Sequence, residues 1–231
     1  VLKDAASAAI YGSKSANGVL LITTVQGKEG APKIALNYSY RNSNIAHKVP
    51  VMNRQQGIDY MNIRNYAAGS LPTTAIDAVD TYNPVFSQDN YLQDLLFRNA
   101  PTNKIDLSIA GANKSLKYYV GAGFMDDQGI QINTYNKQIT FRSNVDFTAS
   151  KFLTIGSRIS LVKTDRRLAS SRSRSELLTR PANYPIYELD GSFSPVMNGR
   201  SNPMAEAMLG PSNTDIYDIN MNQFVELSLM K

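Results

Sequence analysis

Cysteine is absent from this chain of 231 residues, and histidine occurs once, as His47. The lack of cysteine excludes disulfides, thiol catalysis and thiolate metal sites. A single histidine disfavours a zinc site, which usually needs several nitrogen or sulfur ligands. His47 stands in a polar stretch, so we interpret it as a solvated loop residue rather than a metal ligand or a catalytic base.

Long apolar runs are also missing. The longest aliphatic stretch is residues 19–22, far short of the roughly 20 apolar residues of a membrane-spanning helix. A spanning helix is therefore excluded for this stretch, whereas a spanning β-barrel stays open because alternate residues of its strands are polar. Hydrophobic residues make up 42% and charged residues 19%, which is typical of a folded protein. The net charge of +5 is too modest to predict a nucleic-acid partner.

Both ends of the chain suggest a piece of a longer protein. It opens at Val1 without an initiator methionine and closes at Lys231, inside an apolar alternating run. We therefore expect further protein on both sides.

No motif for catalysis or cofactor binding emerges. Gly12-Ser13-Lys14-Ser15 resembles part of a phosphate-binding loop, but the glycine and lysine spacing fails, so a tight turn is the favoured interpretation. Asp126 and Asp127 adjoin a turn and point in different directions. We predict no catalytic, cofactor or metal residues, no cofactor, and no enzymatic activity.

Alternation of apolar and polar residues dominates the chain and predicts six β-strands, each with one apolar face. The predicted strands span 33–40, 103–111, 116–124, 138–148, 153–161 and a last run at 225–229. The links between them alternate long and short, with tight turns at 112–115 and 149–151. In an up-and-down barrel, this alternation places the long loops at one rim and the short turns at the other.

A soluble β-sandwich is the alternative to a barrel, since its strands are also half apolar. Charges in mid-strand on the polar faces (Arg142, Asp146, Arg158) favour a wet barrel interior. Aromatic residues near strand ends, such as Tyr38 and Phe124, favour the girdles of a membrane barrel. The pattern alone favours the barrel only modestly.

The first 27 residues differ from the rest: an Ala-rich segment with helical character, a turn with Gly12, Asn17 and Gly18, and a short aliphatic strand. We predict a separate unit over residues 1–27, a linker over 28–32, and the strands with their long loops over 33–231.

Two blocks carry a specific resemblance. Residues 1–12 (VLKDAASAAIYG) and 16–24 (ANGVLLITT) resemble the end of the plug domain in TonB-dependent transporters of the SusC/RagA type. The motif residues are Lys3, Asp4, Tyr11, Gly12, Asn17 and Gly18. Residues 97–101, 107–111, 117–120 and 126–130 resemble the early barrel of the same family. The resemblance covers residues 1–165.

The resemblance implies an all-β fold: part of an antiparallel transmembrane β-barrel, preceded by the C-terminal end of an α+β plug domain. It implies TonB-dependent import of an oligomeric nutrient, a glycan rather than an oligopeptide, across the bacterial outer membrane. The implied partners are a SusD-like surface lipoprotein, the TonB complex through a missing upstream segment, and outer-membrane lipid with lipopolysaccharide. A passive porin, which needs no plug, and a secreted soluble glycan-binding β-domain remain the alternatives.

Loop residues are the candidates for substrate contact. The segment from Lys163 to Arg180 is basic, so it could attract an anionic substrate or an acidic lid; lipopolysaccharide phosphates or bulk solvent are the favoured alternatives. Loop tyrosines could stack on sugar rings or pack the loops together, and packing is favoured. The candidates are Arg166, Arg167, Arg172, Arg174, Tyr184 and Tyr187.

Overall fold

A computed structural model describes residues 27–67, 88–197, 199–210 and 213–228. The predicted plug unit, including Lys3, Asp4, Tyr11, Gly12, Asn17 and Gly18, lies outside the described residues except for Gly27. None of the helices in the described part of the chain is long and apolar enough to cross a membrane.

Six strands form a single antiparallel sheet in which each strand pairs with its neighbours in sequence. The strands are β1 (Gly30–Ser43), β2 (Ala100–Ala112), β3 (Leu116–Gln128), β4 (Tyr135–Ser150), β5 (Leu153–Arg167) and β6 (Asn213–Leu227). All six predicted strands lie at least partly within these strands. The prediction of an antiparallel up-and-down sheet is thereby confirmed.

Two boundaries differ from the sequence prediction. β1 begins at Gly30, so residues 30–32 of the predicted linker belong to the strand. β6 begins at Asn213, twelve positions before the predicted start at 225. Gln223 and Phe224 interrupt the apolar alternation just before Val225, yet backbone pairing with β5 continues from Leu227 to Asn213. Pairing with a neighbouring strand therefore extends the strand beyond its regular pattern.

The link between β3 and β4 is a second correction. We expected it to be long, but polar residues continue the β-ladder on both sides, as in the pairs Asp126–Lys137 and Asp127–Asn136. Only residues 129–134 remain as the link. The links at this rim are still longer than those at the other, where 113–115 and 151–152 close tight turns.

The register aligns apolar residues of all six strands. Leu36, Leu107, Ala122, Phe141, Leu161 and Ile219 form one row, each directly opposite the next. Directly opposite residues share one face of an antiparallel sheet, so the row is a continuous apolar stripe. Leu36 and Ile219 are each 67% exposed, and Phe141 is 38% exposed. A β-sandwich would bury this stripe against a second sheet, which the described residues do not contain.

In the described parts of the links at the longer-loop rim there are four helices: α1 (Arg54–Ala67), α2 (Leu92–Leu96), α3 (Ser171–Thr179) and α4 (Pro203–Leu209). Side-chain caps are present at the N-terminal ends of α1, α3 and α4. Asn53 and Gln56 exchange side-chain and backbone hydrogen bonds at the start of α1, which is a capping box. We call the described parts of these links the loop layer; the links are residues 44–99, 129–134 and 168–212.

Candidate functional site

The polar face of the sheet carries paired charges. Arg158 Nη2 donates to Asp146 Oδ2 at 2.8 Å, and Arg158 Nη1 lies 2.6 Å from Asp146 Oδ1, close but poorly angled for a hydrogen bond. Both side chains are largely shielded, at 22% and 17% exposed. The guanidinium also lies over the Phe224 ring, 5.2 Å from its centroid. The charge pair thus joins two neighbouring strands, β4 and β5, on the polar face.

A depression of about 320 Å³ lies on the polar face over β2, β3 and β4. Two glycines of β3 form part of it, and a Cβ on Gly123 would stand 2.7 Å from both Asp106 Oδ1 and Thr140 Oγ1. Lys104 pairs with Asp106 at 3.1 Å, and Arg142 lines the far side. The depression is therefore polar and bordered by charges of both signs. This depression was not predicted from the sequence; the Gly-Ala-Gly run at 121–123 is the signal that could have indicated it.

The boundary of the apolar face is aromatic and basic. Tyr38, Tyr217 and Lys163 belong to one row across the sheet, and the Lys163 ammonium lies 5.4 Å from the Tyr217 ring centroid. The next row toward the longer loops is polar and charged: Tyr40, Asn103, Asp126, Lys137, Asp165 and Asp215. The apolar stripe thus ends in a girdle of tyrosine and lysine.

The loop layer has its own small core. Leu92, Leu96, Leu177, Ile186, Met204 and Ala207 bury their side chains against one another. These residues come from α2, α3, α4 and the 180–202 link, so the core joins segments that are distant in sequence. The core gives the loop layer a defined shape.

Buried hydrogen bonds fix the loop backbone around this core. Gln93 exchanges two hydrogen bonds with the backbone of Val49, at 2.9 and 2.7 Å, which joins the beginning of the first long loop to α2 near its end. Asn202 caps α4 through Met204 N and Ala205 N and donates its Nδ2 to the carbonyls of Ile186 and Ser194. Asn202 followed by Pro203 is a local helix-start signal that could have indicated the cap. The contact of Gln93 with Val49 has no such signal, because the two residues are distant in sequence.

Two of the candidate arginines, Arg166 and Arg167, are the last residues of β5. Arg167 donates through Nη2 to the carbonyls of Met208 and Gly210, each at 3.0 Å, where α4 leaves carbonyls without helical partners. Arg166 is half-buried on the adjoining position of β5. Arg167 therefore contributes to the structure at the end of a helix.

Arg172 and Arg174 lie on α3 and are exposed. The buried arginine of this segment is Arg180, which donates to the carbonyls of Arg200, Ser201 and Pro185. Burial lowers the pKa of the Arg180 guanidinium, and the nearby Glu176 carboxylate opposes that shift. The basic segment thus divides into arginines that hold the loops and arginines that face outward.

The two candidate tyrosines also differ. Tyr184 is half-buried, with the Arg180 guanidinium 5.3 Å from its ring centroid. Tyr187 is 43% exposed and stacks on Phe193 at 5.3 Å, across a tight loop in which Gly191 has φ of +82°. Hydrogen bonds from Ser192 lower the pKa of the Asp190 carboxyl in the same loop. The Tyr187 ring is thus partly exposed and is held in place by its stacking on Phe193.

His47 is exposed in the first long loop, as predicted. In the ranges for which side chains are described, no group of three or more histidine, aspartate or glutamate residues is placed to hold a metal ion.

Sequence comparison finds relatives along the whole chain. A TonB-dependent receptor of Formosa agariphila is 32% identical over 231 residues, which are 99% of this chain and 22% of the relative. The TonB-dependent receptor SusC of Bacteroides thetaiotaomicron is 35% identical over 153 residues, 66% of this chain and 14% of SusC. The matches therefore span 22% of the length of the Formosa receptor and 14% of the length of SusC. No family model matches it.

Structure comparison gives the same assignment of the fold. A structure of the RagAB peptide transporter matches with a TM-score of 0.75 and 23% identity, covering 99% of this chain and 30% of that chain. A structure of the RagAB peptide importer in an open-open state matches with a TM-score of 0.73 and 24% identity, covering 100% and 30%. The predicted fold class, a partial antiparallel β-barrel, is confirmed for the described strands. The chain belongs to the SusC/RagA-type family of TonB-dependent receptors.

Proposed function

We propose that the protein containing this chain imports an oligomeric nutrient across the bacterial outer membrane by TonB-dependent transport. The observation that carries the proposal is the apolar stripe shared by all six strands, exposed on one face, with the shielded Arg158–Asp146 pair on the other. The apolar side chains of the stripe are stable in contact with lipid hydrocarbon, and the charged pair is stable facing a polar barrel interior. Because the chain belongs to a family of TonB-dependent receptors, we propose that the TonB complex supplies the energy for import.

The two rims fit an orientation in the membrane. Outer-membrane barrels carry short turns on the periplasmic side and long loops outside. The turns 113–115 and 151–152 would thus face the periplasm, and the loop layer the cell exterior. In this arrangement a SusD-like lipoprotein contacts the loop layer. Lipid and lipopolysaccharide contact the apolar face and its tyrosine–lysine girdle. The TonB complex acts through a segment upstream of residue 1.

We favour a glycan over an oligopeptide as the nutrient, because the outward-facing Tyr187 offers an aromatic surface for a sugar ring. The matched solved structures are of a peptide transporter, so peptide uptake is the competing outcome. Tyr187, Arg172 and Arg174 are our preferred contact residues, and Tyr184, Arg166 and Arg167, which are less exposed or bonded to the loops, are secondary candidates.

Uptake by the complete receptor in its host tests the import proposal. Cells with the receptor, without it, and with the receptor but no functional TonB are given labelled oligosaccharide and oligopeptide mixtures. We expect uptake of an oligosaccharide only when both the receptor and TonB are present. Uptake that continues without TonB would favour a passive porin, and uptake of peptides alone would refute the glycan assignment.

Tyr187→Ala tests the contact residue. Loss of the ring should weaken glycan binding by about 1–2 kcal/mol, a five- to thirty-fold change in Kd. Tyr66→Ala removes an even more exposed tyrosine, on α1, and serves as the matched control. Binding is measured by calorimetry on the purified receptor; equal effects of the two substitutions would remove Tyr187 from the proposed site.

A further inference from the structure

The chain crosses β2 before it joins the sheet as β1. Glu29 forms a parallel bridge with Ala112, and Gly30 then pairs with the same residue in the antiparallel register of β1. Gly30 has φ of +132°, a conformation that favours glycine, and the register shifts between Gly30 and Lys33. Residues 27–29 therefore lie over β2 rather than along the axis of β1.

Gly27 lies against the backbone of the sheet at this crossing. A Cβ at position 27 would overlap the carbonyl oxygen of Gly111 and stand 2.5 Å from its carbonyl carbon and 2.7 Å from the carbonyl oxygen of Tyr118. Gly111 and Tyr118 are paired across β2 and β3, so these backbone atoms cannot retreat without breaking the ladder. Only glycine fits at position 27 while this contact is kept.

The crossing lies on the polar face. A Cβ on Gly111 would point to the same face as Ile109, and there it would meet the Tyr118 hydroxyl at 2.7 Å. Tyr118 thus covers Gly111 on the apolar face. Ala112 has its side chain on the polar face and is only 6% exposed, although Lys117, opposite it, is exposed. The chain from 27 to 29 is therefore on the side that covers Ala112.

We propose that Gly27 is a positioning residue that holds the segment of residues 27–29 on the polar face, at the short-turn rim of the sheet. The contact is static and stays closed while substrate passes. Its effect on transport rests on the proposed function, in which the polar face lines the bore. A larger residue at position 27 displaces the segment from the wall, which impairs import and opens a leak.

A disulfide tests the crossing itself. Glu29→Cys together with Ala112→Cys is made in the full receptor, and this chain contributes no other cysteine. We expect oxidation to link the two positions in the membrane-embedded receptor and import to stay within twofold of the reduced form. Failure to form the link would refute the crossing, and loss of import on oxidation would refute a static contact.

Gly27→Val tests the consequence. Gly57→Ala is the control, because a Cβ at Gly57 on α1 meets open space. We expect Gly27→Val to lower import at least tenfold and to raise sensitivity to large antibiotics, with the barrel still folded by heat-modifiable migration on gels; Gly57→Ala should match wild type. Normal import and an intact barrier in Gly27→Val would overturn the inference. If Gly27→Val does not assemble into a folded barrel, the disulfide experiment tests the inference instead. Absence of import in the wild type would instead count against the proposed function.

Discussion

The arginines of the loop layer differ in what their guanidinium groups contact. Arg167 and Arg180 donate to backbone carbonyls, whereas Arg172 and Arg174 are exposed on α3. Residue type and local charge are the same in all four, so the sequence grouped them as one basic segment. The distinction comes from carbonyls at residues 185–210, which are brought close only by folding.

Asn202 shows how much one buried side chain can hold together. It caps α4 and also satisfies two carbonyls on the link between α3 and α4. We predict that Asn202→Ala in the full receptor destabilises the loop layer by about 2–4 kcal/mol, from a lost cap and unsatisfied buried carbonyls. Hydrogen exchange at residues 180–210 should accelerate, while exchange in the strands should not.

Asn44→Ala is the control for that prediction, since Asn44 is exposed in the first long loop. Unchanged exchange at 180–210 in Asn202→Ala would mean that the packing of Leu96, Ile186 and Met204 suffices to hold the loops.

Pairing decides where the strands end. Each apolar alternation marked a strand, but β3, β4 and β6 continue through polar residues because their neighbours offer a complete ladder. The ends of β3 and β4 that extend past the girdle, residues 126–128 and 135–137, are mostly polar or charged, so alternation of hydropathy does not indicate a strand there. Backbone hydrogen bonding is independent of side-chain polarity, which explains why the sequence placed the strands correctly and their ends less well.

The two faces of a strand should respond differently to charge. Ile219 lies in the apolar stripe, and its neighbour Asn220 points to the other face. We predict that Ile219→Arg destabilises the full receptor in lipid by about 2–4 kcal/mol, the cost of a basic residue near the bilayer midplane. Asn220→Arg lacks this cost. Urea unfolding in lipid vesicles measures both; equal costs at 219 and 220 would contradict a lipid-facing stripe.

The sheet as a whole has two unpaired edges, one on β1 and one on β6, among the strands that the structure describes. In a membrane each unpaired backbone group costs several kcal/mol, so only a closed ring is stable there. In a membrane, further strands would therefore be needed to pair these edges.

We predict that residues 1–231 expressed alone do not insert into lipid or fold stably, because the open edges and the exposed stripe stay uncovered. Circular dichroism during urea titration, with and without lipid vesicles, measures this. A cooperatively unfolding monomer that needs neither lipid nor detergent would contradict the prediction and support the soluble β-domain.

The sequence by itself determined the six strands, the apolar and polar face of each, and the family, because alternation is local and the family motifs are contiguous. The prediction of a plug over residues 1–27 also came from contiguous residues, and it stays a prediction. The substrate contacts stay predictions as well, since the sequence could name the candidate side chains but not their surroundings.

Only the tertiary structure decided which side chains share a row, where β6 begins, and which arginines are bonded to the loops. It also decided that Gly27 lies against the Gly111–Tyr118 pair. These features join residues separated by tens of positions, through main-chain atoms that every residue possesses. The pattern of side chains along the sequence does not indicate such contacts. They can be identified only in the folded structure, where the partner residues lie close together.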